Sequence, residues 1–124
     1  MMAITKRNQK QLERQLIATL TEACEEAKAE LRGFQWLTHD NGDQAFPAGL
    51  RITWIFDTEA NLSRALGKGE DQRMRTLTKA ALEEANMDPK SFPDCLQFDS
   101  EEACQNAQNG DWIARLTQLR RRRH

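Results

Sequence analysis

Two stretches of the sequence repeat a pattern that could do chemistry. Phe56-Asp57-Thr58-Glu59 and Phe98-Asp99-Ser100-Glu101-Glu102 each follow an aromatic residue with a hydroxyl residue and carboxylates. If each Phe ends a strand and the strands run parallel, Asp57, Glu59, Asp99, Glu101 and Glu102 share one sheet edge. A crossover through two helices permits that arrangement. Carboxylates gathered this way could hold Mg²⁺, which takes oxygen ligands. The same residues have a plainer use. Asp, Thr and Ser accept hydrogen bonds from the free N–H groups of a helix start, and acids there favour the helix dipole. No Gly-rich phosphate loop accompanies them, so capping is the simpler account.

His39-Asp40 could pair a general base with its orienter. Neighbours on a strand point to opposite faces, which suits that pairing poorly. Cys24, Cys95 and Cys104 lack C-x-x-C spacing, and His124 is the one other histidine. This inventory does not supply a structural zinc site, and only His39 could activate a thiol. There is no G-x-S-x-G, H-E-x-x-H or P-loop. The sequence therefore names no catalytic residue, no metal ligand and no cofactor, and a non-enzymatic role is expected.

Gly67-Lys68-Gly69 joins two short helical segments, with Arg64 before it and Arg73 and Arg75 after it. A glycine turn among cations can let a nucleic-acid backbone approach closely. The local order α-β-β-α-α-β faintly resembles the type II KH domain, whose GXXG loop clamps that backbone. Here the fourth position is Glu70, and Glu70-Asp71 would repel phosphate. Read as a helix-turn-helix, the segment puts Arg75 and Thr78 where apolar residues belong. Arg120 to Arg123 form a second basic element, and Lys6, Arg7 and Lys10 open the chain with a third. Without Arg120 to Arg123 the balance is 14 basic against 19 acidic residues, so an acidic body carries a basic tail. Such tails often touch nucleic acid or anionic surfaces. The candidate phosphate contacts are Arg64, Gly67, Lys68, Gly69, Arg73, Arg75, Arg120, Arg121, Arg122 and Arg123.

The elements that must position these residues follow from periodicity. Leu12, Leu16, Leu20, Cys24, Ala27 and Leu31 recur at spacings of three and four, predicting a helix from Thr5 to Leu31 with Gly33 at its end. The period then becomes two. Phe34, Trp36 and Thr38 alternate with Gln35, Leu37 and His39, and Leu50, Ile52, Trp54 and Phe56 alternate with Arg51, Thr53 and Ile55. An antiparallel pair joined by a long loop is expected. Asp57 or Thr58 caps a short helix to Leu66, and another helix runs from Asp71 to Ala85. Cys95 to Phe98 reads as a third strand. Asp99, with Glu102 three later, resembles a capping box. Gly110 breaks the last helical stretch, and Asp111 caps a final helix with Trp112, Ile113, Leu116 and Leu119. The expected core is Leu16, Leu20, Trp36, Ile52, Trp54, Phe56, Leu77, Leu82, Phe98 and Trp112.

The 124 residues suit one α+β domain over 1–124, of order α-β-β-α-α-β-α. A small mixed three-stranded sheet should be covered mainly on one face by helices, with a basic tail at 120–124. No apolar run is long enough to cross a membrane, and MMAITKRNQK lacks a secretory h-region. Three unpaired thiols and no export signal point to the cytoplasm.

Gly33-Phe34-Gln35-Trp36-Leu37-Thr38-His39, Phe46-Pro47 with Leu50-Arg51, Phe56-Asp57-Thr58, and Phe98-Asp99-Ser100-Glu101-Glu102-Ala103-Cys104 together resemble a family of small uncharacterised bacterial proteins. Some members carry the label Fis-family transcriptional regulator. The resemblance spans nearly the whole chain and implies a DNA-binding role, without assigning it to residues. The expectation is a non-enzymatic cytoplasmic regulator or accessory factor that binds RNA or DNA, in transcription or at the ribosome. The alternative is a protein-interaction module, such as a homodimer through the first helix or a sheet edge. A third is a metal-dependent enzyme using the acidic edge.

Overall fold

The computed structural model describes residues 6–122. Helix α1 (Lys6–Glu30) leads into strands β1 (Phe34–Asp40) and β2 (Arg51–Phe56). Helices α2 (Glu59–Gly67) and α3 (Asp71–Glu84), then a 3₁₀ turn at Pro89–Ser91, lead to β3 (Leu96–Ser100). Helices α4 (Glu101–Gln108) and α5 (Trp112–Arg122) finish the chain. The mixed α+β architecture follows the expected order.

The sheet order is β1-β2-β3, with β1 antiparallel and β3 parallel to β2. The parallel pairing requires the β2-α2-α3-β3 crossover that the sequence allowed. One sheet face carries the main core. Leu16, Leu20, Ala23 and Ala27 of α1, and Leu31 just after it, pack there with Phe34, Ile52, Trp54 and Phe56 and with Met74, Leu77, Ala81 and Leu82 of α3. Trp54 is wholly buried, and its indole N–H donates to the buried Thr78 hydroxyl at 3.0 Å. Replacing such a residue with Ala costs about 3–5 kcal/mol.

The β1 register departs from simple alternation. Phe34 pairs with Phe56, but Trp36 pairs with Ile55, so Gln35 is an extra residue in a bulge. The bulge turns Phe34, Leu37 and His39 toward α1, and Trp36 and Thr38 toward the other face. Trp36 therefore leaves the main core expected for it. It stands edge-on to Trp112 at 5.1 Å and donates its N–H to Glu101 at 2.8 Å. Trp112 joins it on that second face, and Phe98 is only partly buried against the main core.

The second face mixes polar residues with the wholly buried Ile55, and α5 crosses it. Gln97 donates to Thr53 at 3.0 Å, and Arg51 to Gln97 at 3.3 Å. Arg115 holds Asp99 through two hydrogen bonds of 2.7 and 2.9 Å, with both residues buried. Strand β3 thus runs two residues beyond the expected end. Asp99 is an internal strand residue, and Ser100 takes the capping role by accepting from Ala103 N–H. Thr58 caps α2 and Asp111 caps α5, as expected.

Candidate nucleic-acid interface

The α2–α3 loop closes on itself. Lys68 N–H donates to the Arg64 carbonyl, Gly69 N–H to Leu66, and Glu70 N–H to Ala65. These amides finish the α2 end, with Gly69 in the left-handed region at φ +78°. They are consequently not offered to a phosphate. Glu70 accepts from Arg64, which also donates to the Arg32 carbonyl. Arg73 reaches back to α1, contacting Glu30 at 2.8 Å and Glu26 at 3.1 Å. That guanidinium holds the Glu30 carboxyl below its usual range. Arg75 pairs with Asp71 along α3. Of the cations expected around this turn, only Lys68 makes no ion pair among the described residues. No side chain or backbone atom approaches the faces of Gly67 or Gly69, so the turn opens to solvent.

The acidic edge is assembled and internally used. Asp57 accepts from Thr58 N–H and from the Asn61 amide. The Asn61 bond, ahead of the backbone ones, holds the Asp57 carboxyl below its ordinary value despite partial desolvation. Glu102 accepts from Glu59 N–H at 2.9 Å, and its own N–H donates to the Asp57 carbonyl. Asp57 and Glu102 accept at the start of α2, Glu101 anchors Trp36 and Asp99 anchors Arg115. Among the described residues no three His, Cys, Asp or Glu side chains form a group able to hold a metal ion.

His39 Nε2 donates to the Glu13 carboxylate of α1 at 2.8 Å, with Phe46 edge-on to its ring. Cys24 lines the same groove as His39. It lies eleven residues beyond Glu13 on α1, about 16 Å along the helix, so no thiol–imidazole–carboxylate triad forms. Cys95 and Cys104 are buried, and burial pushes both thiols up.

The structure places the described parts of the two chain-end basic clusters at the same end of β1, on opposite faces of the sheet. Helix α1 runs antiparallel to β1, so its start lies beside the C-terminal end of that strand, where Glu13 meets His39. Its residues before Glu13 extend beyond that level. Arg7, Lys10 and Arg14 are exposed there, at the i, i+3, i+7 spacing of one helix stripe. None of the three makes an ion pair among the described residues. Across the sheet, α5 passes from Trp112 beside Trp36, through Arg115 on Asp99, to Arg120 on Asp40. Arg120 contacts Asp40 at 2.7 Å. Consecutive β1 residues, His39 and Asp40, therefore anchor the basic ends of two helices on opposite faces. Arg121 is exposed beyond them. The side chain of Arg122 and all of Arg123 lie outside the described residues.

The loop from 41 to 50 closes the same pole. Its Phe46 is buried on the α1 side, while Gly42 and Asp43 face Arg120 and Arg121 across a cavity of about 490 Å³ with Ile113 and Leu116. Asp40, Asp43 and Asp94 are the acids lining the two cavities beside Arg120. The sequence revealed both basic clusters but not their convergence or the membership of Arg14. Its signal was the stripe Arg7, Lys10 and Arg14, together with the reversal of direction between α1 and β1. Among the described residues no helix is long and apolar enough to cross a membrane. No protein-family description, curated protein or solved structure matches the chain.

Proposed function

We propose that this protein binds nucleic acid through its phosphate backbone, as a non-enzymatic regulatory or accessory factor. The supporting observation is the convergence at one pole of Arg7, Lys10 and Arg14 with the basic end of α5. Arg120 orders that end by its pairing with Asp40, leaving Arg121 and the residues after it for phosphate. The local field of this basic end, and not the net charge of −1, would carry the attraction. Such a field orients the protein on a polyanion and speeds the encounter. The α2–α3 loop contributes Lys68 at most.

The test is fluorescence anisotropy with labelled DNA and RNA over a salt series. The Arg7→Gln, Lys10→Gln, Arg14→Gln triple variant should weaken binding and flatten the salt slope by about 2–3. Lys68→Gln should change little. Absence of binding by the wild type at low salt would overturn the proposal.

A second reading, a homodimer, draws on a different observation. Ile17 is 47% exposed and lines an apolar groove of about 280 Å³ with Leu20, Cys24 and Leu37, beside the edge strand β1. Sedimentation velocity tests it: a dimer that Ile17→Asp converts to monomer supports the reading, and a concentration-independent monomer removes it.

A further inference from the structure

The two edges of the sheet differ. At one edge, β1 is interrupted by the Gln35 bulge. At the other, β3 pairs with β2 in unbroken parallel register from Leu96 to Ser100. Bulges, prolines and lysines blunt an edge against further pairing, and β3 contains none of them. The Ile52 N–H donates to the Cys95 carbonyl at 2.7 Å, which fixes the phase of the ladder. Alternate residues of a strand direct their main-chain groups to the same neighbour. Cys95, Gln97 and Asp99 therefore face β2, and the N–H and C=O of Leu96 and Phe98 point away from it. Outside the ladder neither Leu96 nor Phe98 has a backbone partner among the described residues.

The groove beside this edge carries one sign of charge. A cavity of about 170 Å³ is lined by apolar Leu82, Phe92 and Leu96 and by two cations, Arg75 and Lys79, one turn apart on α3. No carboxylate lines it. Both cations are exposed. Lys79 makes no ion pair among the described residues, and Arg75 has Asp71 at a loose 3.5 Å. The acids of the adjoining segment are placed elsewhere. Asp88 accepts from the Lys90 N–H, and Asp94 lines the cavity beside Arg120.

We propose that β3 is a docking edge for an extended acidic segment of a partner protein, which joins the sheet as a further strand. Main-chain hydrogen bonds to Leu96 and Phe98 hold the segment, an apolar side chain enters the cavity, and flanking carboxylates meet Arg75 and Lys79. Strand addition takes its affinity from the main chain and its specificity from such side-chain pockets. The charge selects the partner. Acidic residues complement the two cations and steer the encounter. A second copy paired through β3 about a two-fold axis would instead bring two copies of this cation pair to one interface. The surface is separate from the basic end of α1 and α5, so it stands whether or not that end binds nucleic acid.

The probe is a fluorescein-labelled peptide, a run of valines flanked by aspartates at both ends, titrated into the full chain and followed by anisotropy. Its controls are the same peptide with lysine in place of aspartate and the same peptide N-methylated at its valines, which removes the main-chain donors. The acidic peptide should bind in the micromolar range and shift the amides of residues 75–79 and 95–98 in an NMR titration. Arg75→Glu with Lys79→Glu, both on the exposed face of α3, should weaken it by about tenfold or more, with circular dichroism checking the fold. The lysine and N-methylated peptides should bind at least roughly tenfold more weakly. No binding of the acidic peptide at about 1 mM would overturn the proposal, as would either control binding as tightly. Single-stranded DNA that displaces the peptide would overturn it by assigning the cations to phosphate. Self-association in sedimentation velocity that a proline at Phe98 abolishes would overturn it in favour of a second copy.

Discussion

Replacing Arg115 with Met should be among the most damaging single changes outside the main core. Asp99 is 4% and Arg115 8% exposed, and the guanidinium grips both carboxylate oxygens at 2.7 and 2.9 Å. The hydrogen bonds to Asp99 raise the Arg115 pKa further, so the guanidinium stays charged. Removing one partner leaves a buried carboxylate without its countercharge, which costs about 3–5 kcal/mol. At roughly 4 °C per kcal/mol for a chain of this size, the melting temperature should fall by roughly 12–20 °C. The assay is urea unfolding followed by circular dichroism, with thermal melts alongside. Removing both charges, as Arg115→Met with Asp99→Leu, should restore most of the loss, because the desolvation penalty goes with the charges. The reasoning fails if Arg115→Met costs less than about 1 kcal/mol, or if the double variant is no better than the single.

Three further outcomes follow from the same contacts. Asn61→Ala removes the main bond that depresses the Asp57 pKa, so it should cost about 1 kcal/mol at neutral pH. That cost should shrink as pH falls below the unfolded aspartate value of about 3.9 and on through the lower folded value of Asp57, and urea midpoints across pH report it. The raised thiols of Cys95 and Cys104 act in the opposite range: stability should decline as pH rises past about 8.5, where unfolded thiols ionise first, and Cys95→Ala with Cys104→Ala should flatten that decline. Trp36→Phe keeps the ring contact with Trp112 but loses the bond to Glu101, and thermal melts should show a loss of about 1 kcal/mol.

The elements were legible because their periods were clear. The α1 stripe, the alternation around Trp54 and the capping residues Thr58 and Asp111 all act locally. The β1 bulge was not legible, since one extra residue at Gln35 reverses the faces of everything after it without altering the pattern of types. Trp36 was consequently assigned to the wrong layer. Asp99 was misread for a related reason. A capping box and a strand-internal acid look alike until Arg115, sixteen residues later, is seen to neutralise it. The glycine turn at Gly67 attracted attention through its composition, but its amides close a helix and the arginines around it serve Glu26, Glu30, Glu70 and Asp71. The basic pole lay in plain sight as two clusters at opposite ends of the chain. Only the direction of α1 against β1, and of α5 across the sheet, brings them together.

The most direct test of the central claim is a backbone-amide NMR titration of the protein with duplex DNA. Shifts should concentrate on residues 7–14, 39–44 and 119–122, with the turn at 67–70 unmoved. Shifts centred on Gly67, Lys68 and Gly69, or none at low salt, would contradict the account.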